Sequence, residues 1–436
     1  MTTQGDRLVA QLEDVLALDA HGFWLTGWVH TAQPQAVQLT AVSPEGARRT
    51  PRPGAVTFHP RPDLAERLQD DDTSSTLGFH AFVELEQPSV DPTGWGVELR
   101  TASGDAVQET AAGPVQFDGA KVSDLVLEQI RGTSPDESVF SQLMLPALAR
   151  LRCGSHEAQI ERTVEFGPVP ASPETSLVIA VRRVDRIEHQ LAQFVRVPDI
   201  SAMEIIFVVA RSGSDELGAV AEELQLLYGL PFRVMELSRP ARRVRGLNLG
   251  ASVARGACLI LMSGDVLPRT AGWAQALRSH YDSSPTIGAV GAKLLHEDDS
   301  IAHAGASYVR RGVPARWRRT LDFAGLARTL RAASFARPVE AVSDSCMVVA
   351  AERFNACGGF SELYLGPGDE AGDLCMRLAE DGGEIWYCPD AELYNLDRPE
   401  VPSGQSPAAA RFNDWLFTER WDARLAWTIA DPADVN

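Results

Sequence analysis

The sequence predicts an α/β domain built on a mostly parallel sheet and preceded by a small all-β sandwich. Three observations predict this. Short alternating segments broken by Gly, Pro and Asp fill the first 117 residues or so, and beyond about residue 171 apolar strands alternate with helical patterns. The run RGLNLGASVARGACLILMSGD, residues 245–265, then joins a glycine-bracketed helix to a buried strand that ends in a polar turn.

Along the chain, residues 1–117 carry GFWLTGWV, AVQLTAVS, LGFHAFVEL and GWGVELRT, whose spacing and turn chemistry suggest an antiparallel sandwich. Trp24, Trp28, Phe79 and Phe82 could form a binding face there, although alternating spacing favours a core role. Residues 118–170 hold helical patterning, VSDLVLEQI and SVFSQLMLPALARL, and end in GPVPASP, so they read as a helical linker. In residues 171–400 the strands SLVIAV, MEIIFVVA and PFRVMEL are separated by helical stretches at 187–195 and 215–228. Residues 401–436 form a polar link and a last helix, roughly 408–429, whose aromatic stripe is expected to dock on the main domain.

At 436 residues the chain suits two or three domains rather than one core. A formal charge of -19 argues against wholesale nucleic-acid binding. No apolar run is long enough to span a bilayer, and the start lacks an apolar signal core. The expected location is cytoplasmic, with peripheral contact at the inner membrane as a variant of it. Cys153, Cys258, Cys346, Cys357, Cys375 and Cys388 lack CxxC spacing and read as reduced core thiols.

Within residues 245–265, Gly246 and Gly250 bracket Asn248 at the start of a short helix, and Gly256 closes it. Ser263, Gly264 and Asp265 then fall at the carboxyl end of a strand, where open α/β sheets bind ligands. An ordinary strand-end turn is the competing reading, since Gly and Asp favour turns.

Three further stretches carry a resemblance. GAVGAKLLHEDDSIAHAG at 288–305, AVSDSCMVVAAERFNACGGF at 341–360 and the later DLCMRLAEDGGEIWYCPDAELYN resemble consecutive motifs of family 2 glycosyltransferases in order and spacing. With the 245–265 run, the resemblance covers roughly residues 176–397. It implies a GT-A fold, a nucleotide-sugar donor, inverting transfer to an acceptor hydroxyl and Mg²⁺ or Mn²⁺ at the diphosphate. A departing diphosphate needs its growing charge neutralised, and the acceptor hydroxyl needs a base.

Several positions that the family fills with ligands are substituted. Ala210 stands where an acid would hold the nucleobase, with Arg211 following; the Asp-x-Asp turn reads Ser263, Gly264, Asp265; and the late His position is Asn395. The base motif becomes Glu370, Ala371, Gly372, Asp373, unless a slip brings Asp369 and Glu370 into the role. The opening strand motif ends in Arg182 and Arg183.

The resemblance therefore implies Glu370 and Asp373 as base candidates, and Arg182, Arg183, Arg211, Arg245, Asn248 and Asp265 around the donor. Asp265 is the one metal candidate, so the ligand set is incomplete and the site is read as residual in metal or metal-independent, with arginines gripping the diphosphate. Asp344, Arg316 and Arg318 fall on the acceptor side, the two arginines within a basic stretch that also holds Arg310, Arg311, Arg319, Arg328, Arg331 and Arg337. An anionic ligand or pairing with local acids explains that stretch equally well. His296 and His303 read as parts of a structural turn.

Two functions follow. One is transfer from a nucleotide-sugar to a cell-surface polysaccharide or glycoconjugate, through a glycan or lipid-linked acceptor, at an eroded or metal-independent site. The other is a non-catalytic pseudo-glycosyltransferase that binds a glycan or scaffolds an active transferase as its protein partner.

Overall fold

Chain contacts divide the protein into two units, residues 1–157 with 406–408 and residues 158–405 with 409–436. The computed structural model describes residues 8–31, 37–61, 63–64, 76–91, 93–111, 113–115, 137–153, 157–198, 200–210, 216–365, 368–396 and 407–430. The helical pattern VSDLVLEQI and Arg211 lie outside the described residues.

Among its described residues the elements of the first unit up to residue 115 are all strands. Its strands are β1 (Val9–Ala17), β2 (Gly22–His30), β3 (Gln38–Val42), β4 (Arg48–Arg49), β5 (Val56–Pro60), β6 (Thr76–Glu84), β7 (Gly96–Arg100) and β8 (Ala106–Thr110). They form two four-stranded sheets, β1-β2-β6-β5 and β4-β3-β7-β8, with every pairing antiparallel. Alternation along the strands sends Leu12, Phe23, Leu25 and Phe79 from one sheet, and Leu39, Val97 and Leu99 from the other, into one core with Trp95. Trp24, Trp28, Phe79 and Phe82 are all buried; Phe79 packs in the core between the sheets, and Phe82 borders a cavity of about 250 Å³. A helical stretch then runs from Glu137–Val139 through a π-helical turn, Phe140–Met144, into α1 (Leu145–Cys153).

The second unit is α/β. Its strands are β9 (Ile160–Phe166), β10 (Thr175–Val181), β11 (Glu204–Ala210), β12 (Phe232–Leu237), β13 (Cys258–Ser263), β14 (Val266–Pro268), β15 (Ile287–Leu295), β16 (Ile301–His303), β17 (Ala306–Arg311), β18 (Arg316–Leu321), β19 (Arg337–Pro338), β20 (Cys346–Ala350) and β21 (Glu384–Asn395). Its helices are α2 (Asp185–Phe194), α3 (Glu216–Tyr228), α4 (Arg243–Val253), α5 (Trp273–Tyr281), α6 (Ala351–Ala356), α7 (Glu370–Glu380) and α8 (Pro407–Ala430). The main sheet runs β14-β21-β15-β20-β13-β10-β11-β12-β9. β13, β10, β11 and β12 are mutually parallel, as are β15 and β21, while β20, β14 and β9 pair antiparallel with their neighbours. The parallel strands are continuous apolar runs because helices cover both faces. β9 lies within the stretch read from sequence as a helical linker; its residues are exposed or half-buried except Phe166, and it closes the sheet edge beside β12.

Helix α4 sits unusually close to this sheet. A Cβ at Gly250 would lie 2.3 Å from Val178 Cγ1 and 2.9 Å from Val208 Cγ2, and one at Gly246 would lie 3.5 Å from Ala180 Cβ. The two glycines let the helix rest on β10 and β11, so its first residues reach the carboxyl ends of these strands.

β17 and β18 form a separate antiparallel hairpin whose inner side receives α8. Tyr308 stacks on Phe417 at 4.4 Å between ring centroids, and Trp317 Nε1 donates to Asp422 at 2.8 Å. Phe412, Trp415, Phe417 and Trp421 are buried, which makes the aromatic stripe of α8 a docking face. Among the described residues no helix is long and apolar enough to cross a membrane.

Gly250→Ala forces a methyl group into the β-branched side chains of a close-packed strand pair. It is expected to destabilise the protein by about 1–3 kcal/mol, read as a shift of the urea midpoint at unchanged slope.

Candidate functional site

Two cavities open at the carboxyl ends of the parallel strands. The smaller, about 260 Å³, is lined by Ala180 to Arg182 from the end of β10, by Ala210 and Leu237 ending β11 and β12, by Ser263 ending β13, and by Pro240, Ala241, Arg242, Arg243 and Gly246. The larger, about 820 Å³, shares Arg182 and the residues Pro240 to Arg243 with it. Its other walls include His303, Arg319, Asp344, Glu370 and Asn395. Sheet topology alone explains the location, since parallel strands bring their carboxyl ends and the following loops to one edge.

Glu370 stands on the first turn of α7 and is only 7% exposed. Burial raises its carboxyl to about 7, against the pull of Arg242, whose Nη1 lies 3.3 Å from Oε1; the Gly368 amide donates to Oε2 at 3.0 Å. Arg242 is itself fixed by donating to the carbonyls of Tyr364 and Glu362, each at 2.6 Å. Arg243 makes a two-pronged contact with Asp344 at 2.9 and 3.1 Å. Arg319 of the hairpin pairs with Asp369 at 3.0 Å. Arg182 borders both cavities and has no ion-pair partner among the described residues. His303, buried in the wall of the larger cavity, is pushed down to about 3 by burial and so is neutral; its Nδ1 accepts the Gly305 amide at 3.2 Å.

Other residues singled out from sequence are committed elsewhere. Asp373 is 0% exposed and lines neither cavity: its carboxylate accepts Tyr364 Oη at 3.2 Å, Arg377 Nε at 3.0 Å, Arg420 Nη1 at 3.0 Å and Trp421 Nε1 at 3.1 Å. It anchors α8 to α7 and borders a separate cavity of about 460 Å³ with Arg377, Arg420 and Trp421, which leaves Glu370 as the acid of that motif that faces the strand-end cleft. Arg245 points away, donating to the Ala158 carbonyl at 3.0 Å and approaching Glu362 at 3.3 Å. Asn248 clamps the Gly359 turn, donating to the Phe360 carbonyl and accepting the Phe360 amide at 2.9 and 2.8 Å. Arg183, 74% exposed, pairs with Asp185 at 2.8 Å. Arg318 pairs with Asp414 of α8 at 3.0 Å, and Arg316 lies beside that same carboxylate; neither lines the cavities. The basic stretch thus spends much of its charge on local acids, Arg310 on Asp422, Arg328 on Asp299 and Arg337 on Asp322.

Asp265 meets a residue that sequence reading did not single out. Arg186, on the first turn of α2, places Nε 3.1 Å from Asp265 Oδ1. The signal was faint, a third arginine in RRVDR just past the strand. Mg²⁺ and Mn²⁺ take several oxygen ligands. Here the turn offers one carboxylate, already facing a guanidinium, a Ser263 hydroxyl 3.3 Å from the Asp265 amide, and the amide side chain of Asn395. Among the described residues no group of three or more His, Cys, Asp or Glu is disposed to hold a metal. On the protein side this amounts to one engaged carboxylate, too few oxygen ligands to hold a divalent cation without phosphate oxygens from a ligand.

Residues 177–329 match the family model described as Glycosyl transferase family 2. The matched segment lies within the α/β unit, and it agrees with the resemblance carried by the sequence motifs. The chain is 28% identical over 207 residues to the uncharacterised protein y4gI of Sinorhizobium fredii, covering 46% of this chain and 22% of that protein. It is 24% identical over 274 residues to the O-antigen biosynthesis protein RfbC of Myxococcus xanthus, covering 59% of this chain and 20% of that one. The chain thus spans about a fifth of the length of these relatives. Among solved structures it is similar to GalNAc-T7 with UDP, GalNAc and Mn²⁺, at 15% identity and a TM-score of 0.43, covering 58% of this chain and 50% of that one.

Two outcomes follow for α7. Asp373→Ala strands the buried Trp421 indole and loosens α8, and is expected to cost about 1–3 kcal/mol of stability in denaturant melts. Glu370 behaves oppositely in sign. Its folded form keeps a proton from about 4.5 to about 7 that the unfolded chain releases, so its contribution to stability falls as pH rises through that window. Glu370→Gln should remove this dependence, and its advantage over the native chain in urea midpoint should grow across the same window.

Proposed function

We propose that the α/β unit binds a nucleoside diphosphate sugar in the smaller cavity and transfers the sugar, with inversion, to a hydroxyl held in the larger one. The observation that carries this reading is the shared wall: Arg182, Arg242 and Arg243 border both cavities, while Glu370 stands only on the larger. In the reaction, Glu370 takes the proton of the acceptor hydroxyl as its oxygen attacks the anomeric carbon. The bond from that carbon to the diphosphate breaks on the opposite face, and its electron pair leaves with the nucleoside diphosphate. A carboxyl poised near 7 suits a base working near neutrality. The guanidinium groups supply positive charge where the diphosphate departs, so the site works without a divalent ion. The acceptor we propose is a glycan or lipid-linked precursor of a cell-surface polysaccharide, a class suggested by the relative that serves O-antigen biosynthesis.

The second reading is a non-catalytic glycan-binding or scaffolding partner. Ala210 in the smaller cavity, where the family carries an acid, and the engagement of Asp265 by Arg186 favour it.

Calorimetry with a panel of UDP- and GDP-sugars separates the two: binding is expected under the first reading, and silence with and without Mn²⁺ leaves only the second. If transfer is observed, Glu370→Gln is expected to lower kcat by about 10²- to 10⁴-fold. The native rate should rise with pH through about 7 as the carboxyl ionises.

A further inference from the structure

Strands β10 and β13 run parallel with Ala180 opposite Ser263, so the residues that follow each strand emerge side by side. On one side emerges the Asp265 turn, which the Gly264 amide ties to the Ala180 carbonyl at 2.8 Å. On the other, α2 begins at Asp185, and Arg186 and Gln190 stand one helical turn apart, on the same face. Gln190 is fully buried, and its Nε2 donates to the carbonyls of Gly264 at 2.9 Å and Val266 at 2.7 Å, the two residues that flank Asp265. The helix is thereby fastened to the turn, and Arg186 is aimed at its carboxylate.

The pairing leaves part of the guanidinium in reserve. Arg186 Nε faces Asp265 at 3.1 Å, the side chain is 28% exposed, and it makes no side-chain hydrogen bond among the described residues. Its two Nη groups therefore keep their donors. A guanidinium never loses its charge, and two parallel N–H groups match two phosphate oxygens. Asp265 faces one edge of the group, and the other edge keeps its donors; Arg186 and Asp265 themselves line neither cavity, and the nearest wall of the smaller one is Ser263, two residues before Asp265.

We propose that Arg186 is the built-in cation of the donor site and contacts the diphosphate from the position beside Asp265, where the protein offers a guanidinium in place of a second carboxylate. This rests on the reading of the unit as a nucleotide-sugar transferase domain. Gln190 is a positioning residue for it, acting through the turn and the shared helix.

The test measures affinities of the full chain in EDTA for UDP, GDP, ADP and dTDP and for the corresponding monophosphates. The native protein is expected to bind a diphosphate at least about tenfold tighter than its monophosphate. Arg186→Gln should lower that ratio at least about threefold, with Arg182, Arg242 and Arg243 keeping the rest, and Arg186→Lys should lose less. Each ratio compares two ligands on one preparation, so partial unfolding of a variant affects both alike. A ratio unchanged in Arg186→Gln overturns the role of Arg186 while the donor reading stands. So does diphosphate binding by the native chain that needs Mn²⁺. Failure of every nucleotide to bind the native chain, with or without Mn²⁺, overturns both.

Discussion

The close approach of α4 to the parallel sheet is the constraint on which the site depends. Because Gly246 and Gly250 carry no side chain, the helix rests on Val178, Ala180 and Val208, and its leading end meets the ends of β10, β11 and β12. Arg242 and Arg243 reach the cleft only for this reason. From there they meet elements distant in sequence, Glu370 on α7 and Asp344 before β20. A helix held further out would separate the base candidate from its cation and widen both cavities.

Around the cleft the acids come in pairs with guanidinium groups: Glu370 with Arg242, Asp344 with Arg243, Asp369 with Arg319 and Asp265 with Arg186. These pairs are partly exposed, so each adds little to stability. Their consequence is organisational. Fixed charges of defined geometry surround the cleft, and under the proposed transfer such preorganised charge requires no rearrangement as the leaving group departs.

The fold was legible because buried parallel strands must be apolar along their length, as β10, β11 and β13 are. β9 was not, since an edge strand that mixes exposed Glu161, Arg162 and Glu165 with half-buried Ile160 and Val164 carries little of that signal. The site was half legible. Arg182, Asp344 and Glu370 share the larger cavity, yet Arg245 does not join Arg243 there. Two residues along a helix turn the side chain by about 200°, which carries Arg245 to the Ala158 carbonyl on the far side. Arg186 escaped notice because its partner is 79 residues away, a contact that only the adjacency of β10 and β13 creates.

Glu370 and Asp373 show why a motif does not assign roles by itself. They lie one turn apart on α7, in a motif that the resemblance ties to the base. Asp373 turns inward, where a tyrosine, two arginines and a tryptophan converge on it, so it has no oxygen to offer a substrate. Glu370 turns toward the cavity and finds one amide and one guanidinium at 3.3 Å. Burial then outweighs these partners and raises its affinity for a proton. The helix supplies both acids; α8 decides which is free for chemistry, because Arg420 and Trp421 come from it. The C-terminal helix is therefore part of the architecture of the site, although it contributes no wall to either cavity.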